Sequence, residues 1–91
     1  MIAPDIIAVQ YLGDHRLELT FADGVHGQLD FARWIIGQGG VFAPLQDKAY
    51  FARVSINNDV GTIVWPNDVD FDPDVLYEAV TQSKHQTDTA Q

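Results

Sequence analysis

The stretch that decides the fold lies in the last third of the chain, where residues 61–77 read GTIVWPNDVDFDPDVLY. Thr62 to Trp65 predicts a strand, and Pro66 ends it or lies on a sheet edge, because proline cannot donate a ladder hydrogen bond. Residues 72–74, Asp-Pro-Asp, predict a helix start. Asp72 caps the helix, the proline fills its first position, and the second acid favours the positive end of the helix dipole. The stretch therefore predicts a strand, a corner at Trp65 and a capped helix.

The first third of the chain predicts an antiparallel meander. Residues 7–11 and 16–21 each alternate between apolar and polar or small side chains, so the odd-numbered residues, Ile7 among them, should share the buried face. A third strand is predicted over residues 25–29. Asp23-Gly24 before it predicts a type I′ turn, because both residue types tolerate the positive φ that this turn needs.

At Asp30 the pattern changes to helical spacing. Asp30 can accept a hydrogen bond from a free backbone N–H of a first helical turn. Phe31, Trp34 and Ile35 then fall on one face of a short helix, and the glycine-rich residues 37–40 stop it. The following segments predict loop anchors at Val41, Phe42 and Leu45, a short turn from Asp47 to Phe51, and a fourth strand at Val54 and Ile56.

These elements predict an α+β fold, in which a small antiparallel sheet of about five strands is covered on one face by two or three short helices. Residues 1–81 should form a single domain, with a final helix of about two to three turns and a flexible C-terminal tail at 82–91. The expected core consists of Leu17, Leu19, Phe21, Trp34, Phe42, Phe51, Ile56, Ile63 and Leu76.

Charge and composition exclude several classes of function. The formal net charge of the 91 residues is -8, with five basic side chains against thirteen acids. Such a chain disfavours direct nucleic-acid binding, which needs clustered Lys and Arg, and equally disfavours an anionic membrane surface. There is no cysteine, no signal-peptide pattern and no long apolar run, so the expectation is a cytoplasmic protein without disulfides.

The order of motifs resembles a bacterial family, the domain-of-unknown-function family 2442, over about residues 5 to 80. The resemblance rests on Phe21-x-Asp23-Gly24, Asp30, Val41-Phe42-x-x-Leu45, Phe51-x-x-Val54, the run from Gly61 to Asn67, and Asp70-x-Asp72-Pro73-Asp74-x-Leu76-Tyr77. It implies a small α+β domain without an established activity. Members of such families are often encoded beside small proteins that look like toxin–antitoxin partners. Some carry an added helix-turn-helix, but the DNA-binding role of those longer relatives does not carry over to this chain.

The acidic corner after the last strand holds the candidate site residues, which are Trp65, Asn67, Asp68, Asp70 and Asp72. We interpret them as an interaction surface, with Trp65 partly buried and its indole N–H bonded near Asn67 or Asp68. The Asp68-x-Asp70-x-Asp72 spacing resembles the start of an EF-hand calcium loop. The required glycine is replaced by Pro73 and the bidentate Glu by Ala79, so no metal site is predicted.

Two other features have weak chemical interpretations. His15 and His26 lie at or near hairpins and could approach each other as an acid–base or metal pair, but the favoured interpretation is exposed strand histidines without a special task. Residues 37–40 lack the Gly-Lys-Ser/Thr ending of a phosphate loop, so we interpret them as a helix stop. No catalytic residues and no cofactor are predicted.

Three classes of function remain, and a non-catalytic protein-interaction module is preferred. Its partner would be a protein, basic and encoded nearby, with this chain as the acidic member of a toxin–antitoxin-like pair. The alternative is a regulatory domain that senses a small ligand at the Trp65 to Asp72 corner, and a pocket lined by Trp34, Phe42 and Trp65 would support it. The third class, an enzyme using His and Asp, would require a convergent, dry cleft. A homo-oligomer is compatible with all three.

Overall fold

The computed structural model of the protein describes residues 3–89, with side chains described as far as residue 82. In chain order the elements are β1 (Ile6–Gly13), β2 (Arg16–Phe21), β3 (His26–Asp30), α1 (Ala32–Ile35), a 3-10 helix (Gly40–Gln46), α2 (Lys48–Phe51), β4 (Ser55–Asn57), β5 (Thr62–Val64) and α3 (Pro73–Thr89). The α+β class is confirmed.

The five strands form two antiparallel sheets, whereas the sequence predicts one. β1, β2 and β3 form a three-stranded sheet in that order, and β4 pairs with β5 alone. A backbone bond from the Ile6 N–H to the Gly61 carbonyl, 2.9 Å long, joins the two. β4 and β5 have only three residues each, and the register of β1 shifts between Ile6 and Ala8. A continuous ladder therefore does not form.

The same register shift decides which residues of β1 face the core. Ile6 is buried, while Ile7 is 59% exposed, so the predicted inward position of Ile7 is wrong. A bulge of this kind changes which side chains point inward. Each residue of β2 still has a partner in β1, residues 16–20 also pair with β3, and the odd-numbered side chains of β2 are completely buried as predicted.

The β2–β3 turn differs in type from the prediction. The Gly24 N–H donates to the Phe21 carbonyl (3.0 Å) and the Phe21 N–H to the Val25 carbonyl (2.8 Å). Gly24 has a φ of 93°, but Asp23 does not have a positive φ. This is a turn closed by a left-handed glycine, not the type I′ turn, which needs positive φ at both central residues. Asp23 instead accepts the Val25 N–H with its side chain (3.0 Å).

Two aspartates cap helices as the sequence predicts, and Asp30 makes the predicted bond to a first-turn N–H from one residue before the cap position of α1. Asp47 accepts the Ala49 N–H (3.0 Å) before α2, and Asp72 accepts the Asp74 N–H (2.9 Å) before α3. The Ala32 N–H donates to Asp30 at 2.9 Å, although Asp30 still belongs to β3 and Phe31 is the residue next to α1.

Helix α3 is longer than predicted, since its 17 residues far exceed two to three turns. The predicted flexibility of residues 82–91 lies mostly outside the described side chains and stays a prediction. Within the described part of the chain, no helix has both the length and the apolar character that crossing a membrane requires.

The core lies between the sheets and the helices. Six of the nine predicted core residues are fully buried, namely Leu17, Leu19, Phe21, Phe51, Ile63 and Leu76. The other three, Trp34, Phe42 and Ile56, are half-buried and pack against this core. Phe31, Phe51 and Trp65 contribute adjacent buried rings, with centroids 5.4–6.3 Å apart. This buried aromatic group supports the surface described next.

Candidate interaction surface

Trp65 is a core residue and cannot contact a partner. Its side chain is 1% exposed, and its Nε1–H donates to the Phe51 carbonyl at 2.8 Å. The predicted half-exposed corner position, with a bond to Asn67 or Asp68, is wrong. Trp65 follows Ile63 by two residues, and strand periodicity places both on the buried face.

The predicted corner is a tight turn that repeats the geometry of the β2–β3 turn. The Asp68 N–H donates to the Trp65 carbonyl (2.9 Å), and the Trp65 N–H donates to the Val69 carbonyl (2.9 Å). Asp68 has a φ of 68°, in the left-handed position that Gly24 takes in the first turn. A short pairing between Val64 and Asp70 follows, so the chain continues beyond Pro66 as a hairpin.

Asn67 connects this turn to the 3-10 helix. Its Nδ2 donates to the Val41 carbonyl (3.1 Å), and its Oδ1 accepts the Val69 N–H (3.3 Å). Asp68 and Asp70 are exposed beside it. Four of the five candidate residues therefore remain at the surface, and Asn67 has a positioning role within the turn.

The acidic residues do not converge on one point. The Asp72 carboxylate accepts the backbone N–H of Asp74, whose own carboxylate accepts the Ala3 N–H (2.7 Å). In the described part of the chain, no three side chains of the metal-ligating types form a group that could hold an ion. The arrangement is that of a solvated acidic edge next to a helix cap.

The two histidines of the hairpins lie apart and differ in environment. His15 is only 6% exposed, and its Nε2 lies 3.0 Å from the carbonyls of both Leu45 and Gln46. Because carbonyls only accept, Nε2 carries the proton. The prediction of an exposed strand histidine is wrong for His15. This residue lies in the β1–β2 turn, and its hydrogen bonds connect that turn to the end of the 3-10 helix. The prediction is confirmed for His26, which is exposed and whose Nδ1 lies 3.6 Å from the Glu18 carboxylate.

Three half-buried aromatic side chains form a row on the surface above the core. The ring of Phe71 lies 5.9 Å from that of Trp34 and 5.8 Å from that of Phe42. We call these three residues the aromatic strip. Phe71 also contacts the buried rings of Phe31 (5.2 Å) and Trp65 (5.8 Å), so the strip is supported from below.

Exposed aliphatic side chains extend the strip. Val41, next to Phe42, is 63% exposed, and Val75, near Trp34 on α3, is 50% exposed. The predicted role of Val41 as a loop anchor is therefore wrong, while the neighbouring Leu45 is buried as predicted.

A groove runs along Trp34 between β3, α1 and α3. It contains a hollow of about 240 Å³ that reaches Leu29 and Asp30 and a hollow of about 260 Å³ that reaches Val75 and Glu78, and both are also lined by Trp34 and Arg33. The Arg33 guanidinium lies 5.2 Å from the centre of the Trp34 ring, a cation–π arrangement. Trp34 lines both hollows, whereas Trp65 and Phe42 line neither, so the described residues do not form the three-aromatic pocket that would have supported the ligand-sensing alternative.

Charge is unevenly distributed around the strip. Asp30 and Glu78 line the groove, and the exposed Asp70 and Asp72 flank Phe71 in the chain. We call these four residues the acidic border. Arg33 is the basic side chain that lies beside this border. The other basic side chains that the structure describes make their contacts near the β1–β2 turn and α2. Those contacts join Lys48 to Asp14 (3.0 Å), Arg16 to the Leu12 carbonyl (3.4 Å) and Arg53 to the Tyr50 ring (5.7 Å).

Phe71 is the member of the surface that sequence reasoning missed. Phe71 lies between Asp70 and Asp72 in the sequence. This alternation of acidic and apolar residues is typical of a strand with one buried face. That alternation was the available signal. Trp34 was predicted as core, but the groove leaves part of its ring exposed.

The comparison with known families agrees with the resemblance seen in the motifs. A family model described as "Protein of unknown function (DUF2442)" matches residues 6–82. No curated protein and no solved structure matches the chain.

Proposed function

The chain belongs to the DUF2442 family, and we propose that it is a non-catalytic protein-interaction module whose contact surface is the aromatic strip with its acidic border. The observation that carries this proposal is the contact of three partly exposed rings, Trp34, Phe71 and Phe42, with exposed Val75 beside Trp34 and exposed Val41 next to Phe42 in the chain. Contiguous apolar surface of this kind marks interaction sites, and aromatic side chains supply much of the binding energy at such sites.

The strip is suited to binding because its rings are already positioned. Each contacts at least one other aromatic ring, and Phe71 rests on the buried pair of Phe31 and Trp65. Little side-chain entropy is then lost on association, which favours affinity. A non-catalytic role is further supported by His15, whose Nε2–H is committed to two backbone carbonyls.

We propose that the partner is a basic protein encoded nearby and that this chain is the acidic member of a toxin–antitoxin-like pair in the bacterial cytoplasm. The net charge of -8 and the acidic border favour a basic partner electrostatically. The same charge opposes direct contact with the phosphates of DNA or RNA.

A pull-down with matched surface variants tests the proposal. The tagged protein is used to capture the co-expressed product of the neighbouring gene. We expect the double variant Val41→Ser, Val75→Ser to lose the partner. The control Ile7→Ser, Val60→Ser also removes two exposed aliphatic side chains, but from β1 and the β4–β5 turn, and should retain it. If the Val41→Ser, Val75→Ser variant still captures the partner, or if only the control variant fails to capture it, the contact lies elsewhere on the protein.

A regulatory domain that senses a small ligand is the second candidate, and the hollow of about 240 Å³ beside Trp34 favours it. Ligand pockets usually measure about 300–1,000 Å³, so the ligand would be small. A metabolite that quenches Trp34 fluorescence and raises the melting temperature of the wild type, in the absence of any protein partner, would favour this candidate over the first.

A further inference from the structure

We propose that the groove and the aromatic strip together form a receptor for one basic amphipathic helix of the partner. This inference rests on the function proposed above and specifies its partner. It follows from the spacing of the rings, the size of the hollows and the placement of charge.

The spacing of the rings matches the repeat of an α-helix. Successive rings of the strip, Trp34 to Phe71 to Phe42, are 5.9 and 5.8 Å apart. One turn of α-helix rises about 5.4 Å, and an amphipathic helix presents apolar side chains at i, i+4 and i+7. Apolar side chains one turn apart can therefore contact successive rings along the strip. This is the helix-in-groove mode of recognition.

The hollows beside Trp34 have the size of single side chains. They measure about 240 and 260 Å³. A cavity of about 150 Å³ holds a benzene ring, so each hollow has room for one large side chain. The first has polar residues in its lining, Gln28, Asp30 and Gln82 among them, and suits a Lys or Arg whose apolar stem packs on Trp34. A helix lying across Trp34 can place one large side chain in each.

The acidic border determines the charge of the helix. Asp30 and Glu78 stand at the groove, on β3 and α3 respectively, and Asp70 and Asp72 stand beside Phe71. Lys and Arg side chains next to the apolar face of the helix would meet these carboxylates, and Arg33 is the one cation that opposes them among the described residues lining the groove. Such complementarity increases the rate of association and selects against acidic partners.

The same charges exclude two other occupants. A second copy of this chain would meet the surface across a two-fold axis, which places one acidic border against another. A nucleic acid would bring phosphates against the same carboxylates. A basic protein helix meets neither obstacle.

The test uses two synthetic peptides and the two tryptophans of the chain. One peptide, of about 14 residues, carries Leu at helical spacing among Lys and Ala. The second peptide has the same composition, but its Leu residues are placed so that they do not fall on one face of a helix. The readout is the NMR signal of each indole N–H, since Trp34 lies in the groove while the buried Trp65 serves as an internal control.

We expect the helical peptide to shift the Trp34 indole signal and leave that of Trp65 unchanged. The variant Val41→Ser, Val75→Ser should weaken binding about tenfold or more, while Ile7→Ser, Val60→Ser should not. Equal binding of the two peptides, or shifts outside the groove and strip, would overturn the helix receptor.

A charge variant tests the second half of the inference. Asp70→Asn with Glu78→Gln removes two carboxylates and keeps the acceptor for the Gln82 amide, which lies 3.0 Å from Glu78. Binding of the helical peptide should weaken several-fold at low salt and lose most of its salt dependence. The control, Asp5→Asn with Asp59→Asn, makes the same charge change near the β4–β5 turn and should behave like the wild type. An equal effect of the two pairs would contradict a role for the acidic border.

The outcomes separate this inference from the proposed function. If the captured partner needs Val41 and Val75 but the helical peptide leaves Trp34 unaffected, the helix receptor is wrong and the interaction module stands. If the peptide binds at Trp34 but the partner ignores the strip, the receptor stands and the proposed pairing is wrong.

Discussion

The hydrogen bond from Trp65 to the Phe51 carbonyl should contribute substantially to stability, and Trp65→Phe tests it. The bond is 2.8 Å long and the side chain is 1% exposed. Removing the donor leaves the carbonyl with only a longer bond, 3.3 Å, from the Val54 N–H, which we expect to cost about 1–2 kcal/mol. The smaller ring also leaves a void, which costs roughly another 1–2 kcal/mol.

The expected loss is therefore about 2–4 kcal/mol, against a total stability of about 5–15 kcal/mol for a domain. The melting temperature should fall by about 10–25 °C. Because the chain has two tryptophans, the variant keeps one fluorophore, Trp34, and urea unfolding can be followed by fluorescence alongside circular dichroism.

Trp34→Phe is the matched control for this measurement. The Trp34 ring is half-buried, with Arg33 over one face, so its replacement should cost no more than about 1 kcal/mol. If Trp65→Phe costs as little as Trp34→Phe, the account of Trp65 as a hydrogen-bonded core residue is wrong.

Three further predictions use the same unfolding assays. Gly61→Ala should destabilise more than Gly24→Ala, because both glycines have positive φ (72° and 93°) but only at Gly61 would a Cβ collide with a neighbouring carboxylate; equal losses would contradict this. Asp72→Ala should cost about 0.5–2 kcal/mol through loss of the cap, and calcium should leave the wild-type melting temperature unchanged; a calcium-dependent rise that the variant lacks would establish a metal site. The Tyr77 hydroxyl donates to Asp23 (2.6 Å) and lowers the pKa of that carboxyl below its ordinary value of 3.8. The stability that this bond contributes is therefore present above pH 3.8 and is lost as the pH falls through the lower pKa that Asp23 has in the folded protein. The difference in melting temperature between wild type and Tyr77→Phe should accordingly shrink from about pH 5 to about pH 2, and a constant difference would contradict the assignment.

Features that depend on neighbouring residues could be predicted from the sequence. The alternation in β2 identified its buried face, and Asp30, Asp47 and Asp72 each bond to an N–H two residues ahead. These interactions are fixed by strand periodicity and side-chain reach, which local sequence contains.

Features that depend on distant contacts could not. His15 is buried against the end of the 3-10 helix, whose carbonyls 30 and 31 residues away supply two acceptors, and the Trp65 indole bonds to a carbonyl 14 residues earlier. The two sheets are joined by a backbone bond between Ile6 and Gly61, which are 55 residues apart in the chain. No local pattern encodes which distant carbonyl a donor will meet.

The candidate surface shows the same division. Sequence reasoning located Asp68, Asp70 and Asp72 at the surface, because charged residues after a turn remain solvated. It could not place Phe71 between Trp34 and Phe42, since those rings come from three separate segments. The proposed binding surface is an assembly of segments, and the three aspartates that sequence reasoning located come from one of them.

Core and surface are linked through Trp65, which was predicted as a contact residue and supports the contact surface from below. Its ring lies 5.8 Å from Phe71, and its indole bond fixes it to Phe51. Asn67, two residues later, holds the Val41 carbonyl and so positions the far end of the strip. A change at Trp65 should therefore weaken binding indirectly, by releasing Phe71 from its position, whereas changes at Val41 and Val75 remove contact area directly. The residues of 61–77 thus act on both sides of the surface. The buried ones fix the strip, and the exposed acids are the residues that we propose select its partner.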